Sequence, residues 1–199
     1  AEIVYYSGIS GYPGQDTTYP LTPGVALQND DVVVSFHTEH YLVGVGYLQV
    51  DGVNVTSTIS KSLSTGADIF RVTVATNITP STVLSFRTDT GANTSMAYFV
   101  IRGLHNPDTF NFTQAGWSGG ILYGGDVITV PSKPFKTGQA AILAVNATYL
   151  DPSDLQFPYN PDPTIDQWTK DGIYDDIGLA HVVGTNDTTT VSAKLRMLD

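Results

Sequence analysis

The residues best able to do chemistry are few in this chain, and none falls into a catalytic spacing. There is no cysteine among the 199 residues, so thiolate and redox chemistry are excluded, and only four histidines are present. Two of them lie three apart in His37-Thr-Glu-His40. On a helix that spacing could share a metal ion; on a strand the two side chains leave opposite faces. His105 and His181 stand alone and read as packing or surface residues. No serine sits in a Gly-x-Ser-x-Gly elbow, and no pair of acids is placed by a motif for glycoside cleavage. The chain therefore reads as a non-enzyme, with no catalytic residue and no required cofactor.

Two loop-borne groups could hold a ligand. Asp151, Asp154, Asp162 and Asp166 fall within one proline-rich stretch beside Asn160, with Asp171, Asp175 and Asp176 close behind. Calcium takes six to eight oxygen ligands from carboxylates and carbonyls, which such a loop supplies. The alternative is a set of solvated turns, since Asp and Pro are ordinary turn residues, and no regular calcium-loop spacing is present. Trp117, Tyr123 and Tyr159, with Trp168 and Tyr174, lie in or beside turn-rich segments. Aromatic faces near Asp and Asn hold sugar rings or flat partner surfaces, or they plug the ends of a sandwich. Trp117, flanked by glycine and serine, is the surface candidate; Trp168 reads as core. Asn54, Asn77, Asn93, Asn111, Asn146 and Asn186 each begin an Asn-x-Ser/Thr triplet. These are glycan acceptors in a secreted eukaryotic protein, or chance products of a Thr-rich strand sequence.

The elements that must carry these residues are strands. Asp31 to His37, Val43 to Val50 and Phe70 to Thr76 alternate apolar and polar residues, rich in β-branched types. Asp51-Gly52 between two such runs is the strongest hairpin signal in the chain. Met96 to Ile101 is apolar on both faces, as in a central strand. Gln139 to Ala147, Ile177 to Val183 and Thr188 to Leu195 complete the strand pattern, while 104 to 135 is looser and Tyr149 to Ile173 reads as a long loop. The first 25 residues carry Tyr5, Tyr6, Tyr12 and Tyr19 among glycines and prolines without a period. They read as an irregular arm, laid either on a partner surface or on the chain's own domain. The expected organisation is an arm over 1–25 and a single domain over 26–199: an all-β, antiparallel two-sheet sandwich.

Bulk properties limit the partners. A net charge of −10 repels phosphate backbones, and the longest apolar stretches, such as Ala140 to Val145, are far too short to span a bilayer. Neither nucleic acid nor membrane is an expected partner. The chain begins at Ala1 without a basic and apolar leader, which fits removal of an initiator methionine or earlier processing.

The order of pieces carries a resemblance. A strand ending in a Gly-Val turn (Leu48 to Val55) is followed by a strand with a central Arg (Asp68 to Val74) and by Ile78-Thr-Pro-Ser-Thr-Val-Leu-Ser-Phe86. Then come Tyr98-Phe-Val-Ile-Arg-Gly103, Lys136-Thr-Gly-Gln-Ala-Ala-Ile-Leu-Ala-Val145 and a Trp168-Thr segment before a final β pair. Over about residues 30 to 197 this resembles the virion surface proteins of tailed bacteriophages and gene transfer agents, which display β-sandwich or jelly-roll-like modules. The resemblance implies a decoration (cement) protein of the capsid or a head or tail fibre subunit. It implies assembly in the bacterial cytoplasm, contacts to other virion proteins and a possible homo-oligomer. A carbohydrate-binding module for host surface polysaccharide is the competing expectation.

Overall fold

The computed structural model describes residues 2–9, 17–40, 46–56, 68–88, 96–104, 127–134, 140–147, 155–156, 164–170, 176–183 and 190–196. Every element there is a strand, and no helix occurs among the described residues. In chain order they are β1 (Glu2–Ile9), β2 (Thr17–Leu21), β3 (Val32–His40), β4 (Gly46–Val50), β5 (Val53–Asn54), β6 (Asp68–Ala75), β7 (Leu84–Thr88) and β8 (Met96–Arg102). The second half adds β9 (Val127–Pro134), β10 (Ala140–Ala147), β11 (Leu155–Gln156), β12 (Thr164–Lys170), β13 (Asp176–Val183) and β14 (Thr190–Arg196). They pair antiparallel throughout, in sheets ordered β1-β8-β3-β6, β2-β7-β4-β5, β10-β13-β12 and β11-β14-β9.

The first two sheets face one another across a common core, as a β-sandwich. Leu21, Leu48, Leu84 and Phe86 from one sheet pack with Val33, Ala75, Met96, Tyr98 and Val100 from the other. Alternation explains this: each of these residues takes every second position on its strand, and full burial of one such side chain stabilises by roughly 1.5–3 kcal/mol. The sheet β1-β8-β3-β6 is also buried on its other face, by Val32, Val34, Phe36, Val72, Ala97, Phe99 and Ile101. Beside that sheet run β12, along β1 and β8, and β13, along β8. The two-faced apolar run Met96 to Ile101 is accordingly an interior strand between β1 and β3.

Asp51 and Gly52 turn β4 into β5 with positive φ at both residues, 51° and 78°, the hand that suits a two-residue hairpin. The Asp51 carboxylate accepts from Val83 N–H at 2.8 Å, and Asp51 N–H donates to Val83 carbonyl at 2.8 Å. The turn is thereby tied to the start of β7.

Three expectations need correcting. Within the expected irregular arm over 1–25, residues 2–9 and 17–21 are strands: β1 pairs with β8 and β2 with β7, so both lie within the sheets. Glycines and prolines hid the pattern, and β1 is held by its neighbour rather than by alternation, with a register shift between Ile3 and Tyr5. The looser stretch 104–135 contains β9, and the expected long loop 149–173 contains β11 and β12. In β12 a register shift between Ile165 and Gln167 breaks the two-residue period at Asp166, which conceals a strand from a pattern reading.

Candidate functional site

The outward face of β2-β7-β4-β5 is the best-formed polar surface among the described residues. Because Leu48, Leu84, Phe86 and Leu21 point into the sandwich, their neighbours Tyr47, Gln49, Ser85, Arg87, Thr18 and Pro20 point away from it. Strand register sets them in two rows. Thr18, Arg87 and Tyr47 stand side by side in one, and Pro20, Ser85, Gln49 and Asn54 in the next. Hydrogen bonds run along both: Ser85 Oγ donates to Gln49 Oε1 at 3.1 Å, Gln49 Nε2 to Asn54 Oδ1 at 2.8 Å, and Arg87 Nη1 to Thr18 Oγ1 at 3.3 Å. Cross-strand pairs of this kind stabilise a sheet by roughly 0.2–1 kcal/mol each. Their chemistry is amide, hydroxyl, guanidinium and one phenol ring. Ser85 and Gln49 are buried, at 8% exposure each, so the groups of this face that can bind by hydrogen bonding and stacking are the exposed Thr18 and Asn54 and the half-buried Tyr47 and Arg87, with no nucleophile beside a base.

At one end of the sandwich Asp31, just before β3, is buried and held on all sides. Arg102 Nε and Nη2 donate to its two oxygens at 2.9 Å each, Gln28 N–H donates to Oδ2 at 2.9 Å, and Arg102 Nη2 also reaches Ala26 carbonyl at 3.1 Å. Burial works to raise the Asp31 carboxyl; the Arg102 hydrogen bonds, the Gln28 N–H and the Arg102 charge outweigh it and hold the group below its ordinary value. The pair joins the last strand of the first sheet to the loop after β2. The Ile-Arg-Gly motif thus has a structural task in this chain, which its spacing alone did not disclose.

The tyrosines expected to contact a partner are divided. Tyr5 packs against Tyr98 with ring centroids 5.9 Å apart, and Tyr6 against Phe99 at 6.4 Å. Tyr5 belongs to the margin of the central core, Tyr6 keeps 40% of its surface exposed, and Tyr19 is half-buried in β2. Tyr12 lies outside the described residues. Tyr5 and Tyr6 therefore pack on the chain's own sheet, the alternative weighed above. Burial first, then the Tyr5 charge and hydrogen bond, push the Tyr98 phenol far above its usual range.

His37 is buried at 1% exposure, edge-on to Phe86 with centroids 5.3 Å apart. Ser35, two residues earlier on the same face, is fully buried as well. Both sit between the sheets as core residues. Trp117, Tyr123 and Tyr159 lie outside the described residues, as do Asp151, Asp154, Asp162 and His105; Asp166 falls on β12 and His181 on β13. The described residues hold no cluster of three or more His, Asp or Glu placed to bind a metal ion. Compared with known proteins, the chain matches no family model, no curated protein and no solved structure.

Proposed function

We propose that this chain is a non-enzymatic structural protein on the surface of a phage or phage-like virion, serving as capsid decoration or as a head or tail fibre subunit. The observation that supports it is strand order. Numbered along the chain, the eight strands of residues 2–104 run 1-8-3-6 in one sheet and 2-7-4-5 in the other. Two interlocked Greek keys wind in that way, so we read this half as a jelly roll, an architecture used by viral capsid and lectin domains. The step from architecture to role is one of analogy, joined to the resemblance in sequence pattern. The acidic balance suits a protein that must stay soluble outside a shell packed with nucleic acid, and absence of cysteine makes stability independent of redox state. Its partners are other virion proteins and, in a fibre, further copies of itself. Mass spectrometry of purified particles with immunogold labelling tests this: labelled particle surfaces are expected, and absence of the chain from intact particles overturns the reading.

The polar rows on β2-β7-β4-β5 favour a second reading, a module for host surface polysaccharide. Asn54, Thr18, Arg87 and Tyr47, exposed or half-buried on one sheet face, suit a polyhydroxylated ligand. Glycan-array binding by the intact chain, lost in Tyr47→Ala and in Asn54→Ala, would support it; an empty array would leave the structural role alone.

A further inference from the structure

We propose that the chain carries one β unit twice, about 95 residues apart, and that the outer apolar face of β1-β8-β3-β6 is the surface on which the second copy sits. The repeat is read from register. Val32 of β3 pairs with Ile101 of β8, and Val127 of β9 pairs with Arg196 of β14; both members are displaced by the same amount (127 − 32 = 95, 196 − 101 = 95). The same displacement relates Val34 with Phe99 to Thr129 with Lys194, and Ser35 with Tyr98 to Val130 with Ala193. In the second pair of strands Gly46 with Thr88 corresponds to Ala140 with Val183, displaced by 94 and 95 residues (140 − 46, 183 − 88), a difference of one residue. Placement within the sheets agrees. In each half the last strand, β8 or β14, is interior to one sheet, and the strand before it, β7 or β13, is interior to the other. The repeat covers the four strands β3, β4, β7 and β8 against β9, β10, β13 and β14, and the strands around them differ: β6 pairs with β3 whereas β12 stands beside β13, β11 takes the second edge of β14 where β1 takes that of β8, and β5 has no described counterpart beside β10.

The equivalent strands β8 and β14 differ in one respect that identifies the covered face. Ala97, Phe99 and Ile101 form part of the buried outer face of their sheet, at 0–2% exposure. Ser192, Lys194 and Arg196 occupy the corresponding positions of β14. Apolar residues at these positions of β8, where the sequence of the equivalent strand has polar and charged ones, are what a covered sheet face requires. The cover is the second copy, since β12 runs beside β1 and β8, and β13 beside β8. The face therefore joins two units within one chain.

The chain has no cysteine, so engineered pairs report register cleanly in the full-length protein. Thr129→Cys with Lys194→Cys is expected to close an intramolecular disulfide under mild oxidation. Thr129→Cys with Leu195→Cys, staggered by one residue and so pointing to opposite faces, is expected to stay open. Closure of the staggered pair alone, or of neither in protein that keeps its strand circular dichroism, overturns the repeat. For the interface, Phe99→Leu and Ile101→Ala in the full chain are expected to reduce hydrogen-exchange protection in β12 and β13 by about tenfold or more while β4 and β7 keep theirs. Unchanged protection in β12 and β13, or equal loss in β4 and β7, overturns the assignment of that face.

Discussion

At the residue scale, three positions are set by contacts that no local pattern announces. Asp31 is stabilised as a carboxylate inside the fold. Its folded-state value lies below the unfolded one, so the stability it contributes is present above about pH 4 and lost as the pH falls through the lowered folded value. Asp31→Asn is expected to cost about 1.5–3 kcal/mol at neutral pH, the range for hydrogen bonds to charged groups, and to flatten the acid limb of a pH-denaturation series. An unaltered acid limb would show that Asp31 is not the group responsible. Tyr98 has the opposite sign. Its raised phenol contributes stability below about pH 10, lost progressively at higher pH, because the unfolded chain ionises there and the folded one does not. Tyr98→Phe should move alkaline unfolding to higher pH, read by near-ultraviolet absorbance and circular dichroism. Gly46 is needed for space: a Cβ there would lie 2.5 Å from Phe86 Cζ. Gly46→Ala is expected to destabilise by about 1–3 kcal/mol in urea denaturation, and adding Phe86→Leu should recover part of the loss.

At the element scale the first strand and the Asp-Gly turn make contrasting cases. Asp51-Gly52 was legible because two-residue turns with positive φ accept few residue types. What the dipeptide did not reveal is that the Asp51 carboxylate also ties β7. Asp51→Ala should cost about 1–3 kcal/mol by losing that bond and straining the left-handed backbone, with Asp51→Asn milder, as thermal melts would record. Strand β1 was not legible, since Gly8 and the irregular register around Tyr5 erase the period that alternation requires. Its removal would leave one edge of β8 unpaired and Tyr98 uncovered. Deleting residues 1–10 is therefore expected to destabilise the whole sandwich, seen as loss of cooperative thermal unfolding. A truncated protein that melts as the full chain does would return this segment to the status of a detachable arm.

On the scale of the whole molecule, β1-β8-β3-β6 is buried on both faces: β2-β7-β4-β5 covers one, and β12 and β13 run close to β1 and β8. A central sheet buried on both faces reads as near-continuous apolar sequence, which is the texture of Met96 to Ile101. The outward face of β2-β7-β4-β5 carries polar rows in place of a large apolar patch. The fold also accounts for the second half reading less clearly than the first. Short strands such as β11, and the shifted register of β12, carry too few alternations to stand out.

Alternation and turn chemistry in the sequence determined the all-β class, the antiparallel hairpin at Asp51-Gly52 and the interior position of the Met96 strand, because these depend on neighbours within a few residues. Tertiary structure decided the rest. Which strands are neighbours, that β1 and β2 are strands at all, that Asp31 answers Arg102 across 71 positions, and that Ser85, Gln49 and Asn54 form one polar row all depend on pairing between distant segments. Sequence carries a strand's own two faces; only the folded chain says what lies against each of them.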